Sequence, residues 1–180
     1  MIRHNNLNML EEKIKQLSSK CDKIWYMADG VYSMFGDYAP MAELMEITKK
    51  YSQLHLYFDD VHGMSWIGKN GTGFVFDSIK ELPENIVVVG TLSKTFGASG
   101  ATLFCKNEKL RNKIKNFGGP LTFSAQLEPA SVGAAIASAN IHLSPEITIR
   151  QKELAEKIDY FNQLLSLDNL PIISKNDSPV

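Results

Sequence analysis

Three side chains in this sequence have the types and spacing of a reacting site. Asp59 directly follows the apolar run "LHLYF", His62 stands three residues on, and Lys94 falls in the loop after "IVVV" (86–89). Taken singly, each has an ordinary explanation: lysines are solvated, strand-end aspartates cap turns, and lone histidines satisfy loops. Taken together they suggest chemistry. An amine condenses with an aldehyde to give an imine that a substrate amine can displace. A carboxylate on a rigid strand end can keep a ring nitrogen protonated, and an imidazole in the following turn can reach a phenolic oxygen. Thr91 and Ser93 place hydroxyls beside the lysine for a phosphate, and Gly97 and Gly100 permit close backbone approach. Pyridoxal phosphate is the cofactor that uses all of these at once.

Holding such groups together requires strands that end side by side. "LNMLEEKIKQL" (7–17) has Leu7, Leu10, Ile14 and Leu17 at helical spacing. "KIWYMADG" (23–30) predicts a strand stopping at Gly30. Residues 39–51 predict a helix, with Pro40 suited to its first turn. Further strands are expected at 54–60, 86–90 and 101–106, with a glycine-rich loop between the first two. Asn107 can cap a helix over 107–117. The small-residue stretch 124–143, with Pro129 in its first turns, suits a helix packed close to a neighbour. Ser144 and Pro145 open a long amphipathic helix reaching Leu167. Strands alternating with helices predict an α/β fold with a mostly parallel sheet flanked by helices, because parallel pairs need crossovers. Ligands of such sheets lie beyond the carboxyl ends of strands, where Asp59 and Lys94 both fall. We expect one large domain over residues 1–168 and the start of a second, cut off, over 169–180. Both ends read as truncations.

The composition narrows the function class. With 180 residues, 44% hydrophobic and 22% charged, the chain can bury one sizeable core. A formal net charge of -1 gives no electrostatic case for nucleic acid or an anionic membrane surface. No apolar run approaches the roughly 18 residues of a membrane span. The opening "MIRHNNLNML" lacks the apolar core of a signal peptide, and Cys21 and Cys105 fit a reducing compartment, so a cytoplasmic protein is expected.

Three motifs, "DGVYSMFGDYAP", "FDDVHGMSWIGKNGTG" and "GTLSKTFGASGA", occur in the order and approximate spacing of the α-oxoamine synthases. The chain resembles that family, within the fold-type I pyridoxal-phosphate-dependent transferases of the aminotransferase class I/II fold, from about His4 to its tail. The resemblance implies condensation of an amino acid with an acyl-CoA, or a 2-oxo acid partner if the relationship is to the aminotransferases. It makes Lys94 the Schiff-base lysine, Asp59 the ring-nitrogen partner, His62 the neighbour of the phenolic oxygen and Thr91 a phosphate-binding hydroxyl. It places Ser33 close to the cofactor and Ser124 at the phosphate of a partner subunit, which implies a homodimer. Phe35 and the triplet Met64-Ser65-Trp66 depart from the family pattern. The family's upstream phosphate loop and stacking ring, and its downstream small domain, have no counterpart in these 180 residues. A weakly active or inactive fragment of the family large domain is therefore expected.

Rival readings are weaker. "LYFDDVHG" resembles a helicase acidic box, but a P-loop needs glycine at the positions of Ser93 and Val88. A metal held by Asp59, Asp60 and His62 is disfavoured because adjacent strand residues point to opposite faces. Retention of Lys94, Asp59 and His62 argues against a scaffold subunit that kept the fold and lost the chemistry, while the missing ends argue for one in this particular chain.

Overall fold

The computed structural model describes residues 1–167, 170–171 and 177–179. In chain order the elements are α1 (Leu7–Leu17), β1 (Ile24–Asp29), β2 (Val31–Tyr32), β3 (Asp37–Tyr38), α2 (Met41–Lys50) and β4 (Leu54–Asp59). A 3-10 turn (Lys69–Gly71), α3 (Phe74–Ser78), β5 (Ile86–Thr91) and β6 (Ala101–Cys105) follow. The chain continues through α4 (Glu108–Phe117), α5 (Gly119–Thr122), α6 (Pro129–His142) and α7 (Glu146–Leu167).

The main sheet has the order β1-β4-β5-β6. β1, β4 and β5 run parallel, with Asp29 opposite Asp59 and Asp59 opposite Val89; β6 is antiparallel to β5. The expected mostly parallel α/β sheet is therefore present. Because the chain steps in one direction from β1 to β4 to β5, right-handed crossovers put α2 and α3 on the same face. Burial along β4 alternates, with Leu54, Leu56 and Phe58 inward and His55, Tyr57 and Asp59 half-exposed. The inward set packs with Leu10 and Ile14 of α1, Leu44 and Ile47 of α2, Val75, Ile86 and Val88 into one core. Asp29 and Asp59 therefore share the open face at the ends of neighbouring strands.

Local chemistry accounts for the helix starts. Asn6 and Asn107 each accept a backbone N–H through the side-chain oxygen, at 2.9 Å from Met9 and 2.8 Å from Leu110. Ser144 caps α7 by accepting the N–H of Glu146.

Several elements differ from the sequence expectation. The stretch 124–143 is helical only from Pro129, and the small face of α6 meets no neighbour at Gly133. Along α7 only Ile147 is buried. The hairpin β2–β3, and α3 within the glycine-rich segment, were not expected. The strand start and second domain expected over 169–180 lie mostly outside the described residues.

Candidate active site

The carboxyl ends of β1, β4 and β5 bring four ionisable groups together. Lys94 Nζ donates to His62 Nε2 at 2.8 Å. Burial, then the nearby Lys94 cation, holds the His62 imidazole below its ordinary pKa, while Asp29 and Asp59 pull it up. The imidazole therefore stays neutral at neutral pH and offers Nε2 as an acceptor. Asp59 is anchored by its own loop, where Oδ1 accepts the N–H of Val61 at 3.1 Å. Asp29 was not singled out from the sequence, yet it stands opposite Asp59. Burial, then the Asp59 charge, raises its pKa, and His62 and Lys94 lower it. The available signal was an acid closing an apolar strand just before Gly30.

One packing contact holds the His62 loop against the lysine strand, and one hydrogen bond closes that loop on itself. A Cβ on Gly90 would fall 2.1 Å from Met64 Sδ, so Gly90 is what lets Met64 lie on β5. Trp66 Nε1 donates to the carbonyl of His62 at 2.5 Å.

The second acid of "FDD" has a different role. Asp60 is 1% exposed and accepts the N–H of Val75 at 2.9 Å, so it caps α3 from fifteen residues away. Cβ atoms on Gly30, Gly63 or Gly73 would fall 2.2, 2.3 or 2.4 Å from its carboxylate oxygens. These glycines close around a carboxyl group rather than a ligand. Burial pushes the Asp60 pKa up to about 7, and its Oδ1 has no hydrogen-bond partner.

The other expected site residues are placed less directly. The Thr91 and Ser93 hydroxyls both donate to the carbonyl of Gly100, and Thr91 Oγ1 accepts the N–H of Ser93. They lie beside Lys94 but close its loop on itself. Ser33 is exposed at the β2–β3 turn and makes no hydrogen bond to the Lys94–His62 pair. Ser124 is exposed and donates to the carbonyl of Pro120. Its segment reaches the lysine loop through Leu127, whose side chain packs over Gly100. An open cavity of about 770 Å³ runs along the β1 edge to Asp29 and Asp59. Among the described residues no group of three or more His, Cys, Asp or Glu could hold a metal ion.

A family model described as "Aminotransferase class I and II" matches residues 2–178. The chain belongs to that family. An 8-amino-7-oxononanoate synthase from Petrotoga mobilis is 35% identical over 160 residues, covering 88% of this chain and 39% of the relative. A second, from Coprothermobacter proteolyticus, is 37% identical over 161 residues. The solved serine palmitoyltransferase from S. paucimobilis, with a bound PLP–myriocin aldimine, matches at TM-score 0.84 and 26% identity. That match covers 97% of this chain and 44% of the other. Another serine palmitoyltransferase, from Sphingomonas wittichii, matches at TM-score 0.78. The α-oxoamine synthase resemblance drawn from the three motifs is thus upheld. The chain spans about two-fifths of the length of these relatives (39% and 40% for two of them).

Proposed function

We propose that the protein is a pyridoxal-phosphate-dependent acyltransferase that condenses an amino acid with an acyl-CoA. The observation that carries this is the Lys94–His62 contact at 2.8 Å, set at the strand ends beside Asp59 and Asp29. An amine, a neutral imidazole and a carboxylate on a rigid strand end form the donor set that this cofactor requires, so the residues fit it. When bound, pyridoxal phosphate supplies the electron sink that makes a carbanion at the amino acid α-carbon accessible. Lys94 would hold the cofactor through its amine and would be the group placed to move a proton at the substrate α-carbon. Asp59 would hold the ring nitrogen in its protonated form from a rigid strand end. His62 accepts from Lys94 and would orient the ring. The Thr91 and Ser93 hydroxyls, which bond the Gly100 carbonyl beside Lys94, would be available to a phosphate by exchanging that bond, and Ser33 and Ser124 would supply further polar contacts, Ser124 across a subunit boundary.

The relatives' names favour acyl transfer, and the exposed apolar side chains of Phe117, Leu121, Phe123 and Leu127 favour a homodimer. A cytoplasmic location accords with two free cysteines and with no described helix long and apolar enough to cross a membrane. A second reading, amino transfer to a 2-oxo acid, is favoured by the family model itself and would use the same side chains.

Titration with pyridoxal phosphate tests the cofactor reading. A visible band that Lys94→Ala abolishes is expected; a band that survives this substitution refutes the assignment. Product analysis with an acyl-CoA plus glycine, alanine or serine, against a 2-oxo acid acceptor, separates the two reactions.

A further inference from the structure

Behind the Lys94–His62 pair lies a second cavity of about 380 Å³, lined by Trp66, Thr95, Phe96, Ile147 and Leu154 among others. Both members of the pair are tied to its wall. The Lys94 carbonyl accepts the N–H of Gly97 at 2.9 Å, which closes a four-residue turn with Phe96 at its third position. The Phe96 ring lies on the His142 ring, with centroids 4.7 Å apart and planes 30° from parallel. His142 Nδ1 donates to the carbonyl of Ser138 at 2.8 Å, which leaves Nε2 as an acceptor. The Ser65 hydroxyl donates to that Nε2 at 3.0 Å. Trp66, the next residue, binds the His62 carbonyl. The contacts form a closed circuit from His62 through Lys94, Phe96, His142 and Ser65 back to His62.

Ser65 also carries strain. It is 4% exposed at φ +74°, where a side chain is disfavoured. Gln151 Nε2 holds its carbonyl at 3.1 Å. A backbone kept in this conformation delivers the hydroxyl to His142. On the other arm, the lysine turn ends on Gly97 at φ +74°, a conformation that suits glycine, and Phe96 within it lines the cavity.

We propose that His142 and Ser65 are positioning residues that set Lys94 against His62, acting through Phe96 and Trp66. The inference rests on Lys94 being the residue that carries the cofactor.

The test uses the full chain with Ser65→Gly, Phe96→Leu, His142→Ala and His142→Gln. Glycine suits the Ser65 backbone, so a purely structural role predicts an equal or higher melting temperature and an unchanged lysine. Positioning predicts instead that Ser65→Gly and Phe96→Leu weaken pyridoxal phosphate binding, read from the visible band, by about threefold to tenfold, the scale of one hydrogen bond or ring contact. His142→Gln keeps an acceptor for Ser65 and should fall between wild type and His142→Ala. A second readout needs no cofactor: the rate at which acetic anhydride acetylates Lys94, followed by mass spectrometry, should rise in the same variants as the amine leaves His62. Affinity and acetylation both within about twofold of wild type, less than the scale of one hydrogen bond, would overturn the proposal. If wild type gives no visible band, the proposed function falls, and the acetylation rates alone decide the positioning role.

Discussion

The two halves of this chain differ in where their apolar side chains go. In the first half, α1, α2, α3 and the parallel strands bury Leu10, Ile14, Leu44, Leu54, Leu56, Phe58 and Val88 almost completely. In the second half, α4 and α5 bury nothing, and Phe117 and Phe123 stand 81% and 90% exposed. The second half is only slightly less apolar, with 37 hydrophobic residues over 91–180 against 42 over 1–90. The first half can close its core because right-handed crossovers lay its helices on one face of a sheet made by the same chain. The second half presents its apolar side chains with no such cover among the described residues. Apolar content alone does not determine what is inside; a surface to pack against does.

Substitutions can break or sharpen that contrast. The largest effect is expected from Phe58→Ala, which leaves a cavity under β4 and should cost about 3–5 kcal/mol in chemical denaturation. Next comes Asp60, whose folded pKa of about 7 lies above its ordinary 3.8. Between these values the folded state binds a proton that the unfolded state lacks. Stability should therefore fall as pH rises from 4 to 7 and level off above. Asp60→Asn should flatten that profile and exceed wild type at pH 8, on the order of a few kcal/mol, in melts across pH.

The two asparagine caps make a closer comparison. Asn6→Ala loosens a helix built into the core and should lower global stability by about 1 kcal/mol. Asn107→Ala removes an equivalent bond from a helix that buries nothing. It should speed amide exchange in α4 and leave the denaturation midpoint unmoved. The smallest effect on the folded subunit is expected from Phe123→Ser, within about 0.5 kcal/mol. If the exposed apolar face is a subunit contact, the same change should lower the mass seen by light scattering.

Much of the site was legible because its signals are local. An apolar run followed by Asp59 gives a strand end, and the loop after β5 gives Lys94 its exposure. Asn107 announces α4 and Ser144 opens α7. What escaped notice depends on residues distant in the chain. The five-residue helix α3 is too short to show a periodicity, and it starts where Asp60 reaches it across the loop. Asp29 acquires its significance only when β1 pairs with β4 and sets it beside Asp59. The glycines of 63–73 read as a loop, and only the packed structure shows that Gly63 and Gly73 make room for a carboxyl group of the protein itself.

By itself, the sequence determined the alternation of strands and helices, the lysine, acid and imidazole, and the family to which they belong, since each depends on residue type and short spacing. Only the tertiary structure decided that Lys94 donates to His62, that Asp60 is a buried helix cap, and that Ser65 and His142 meet across seventy-seven positions. Spacing along a chain limits which groups can approach one another. Which of them do so depends on how the strands pair and how the loops beyond them pack.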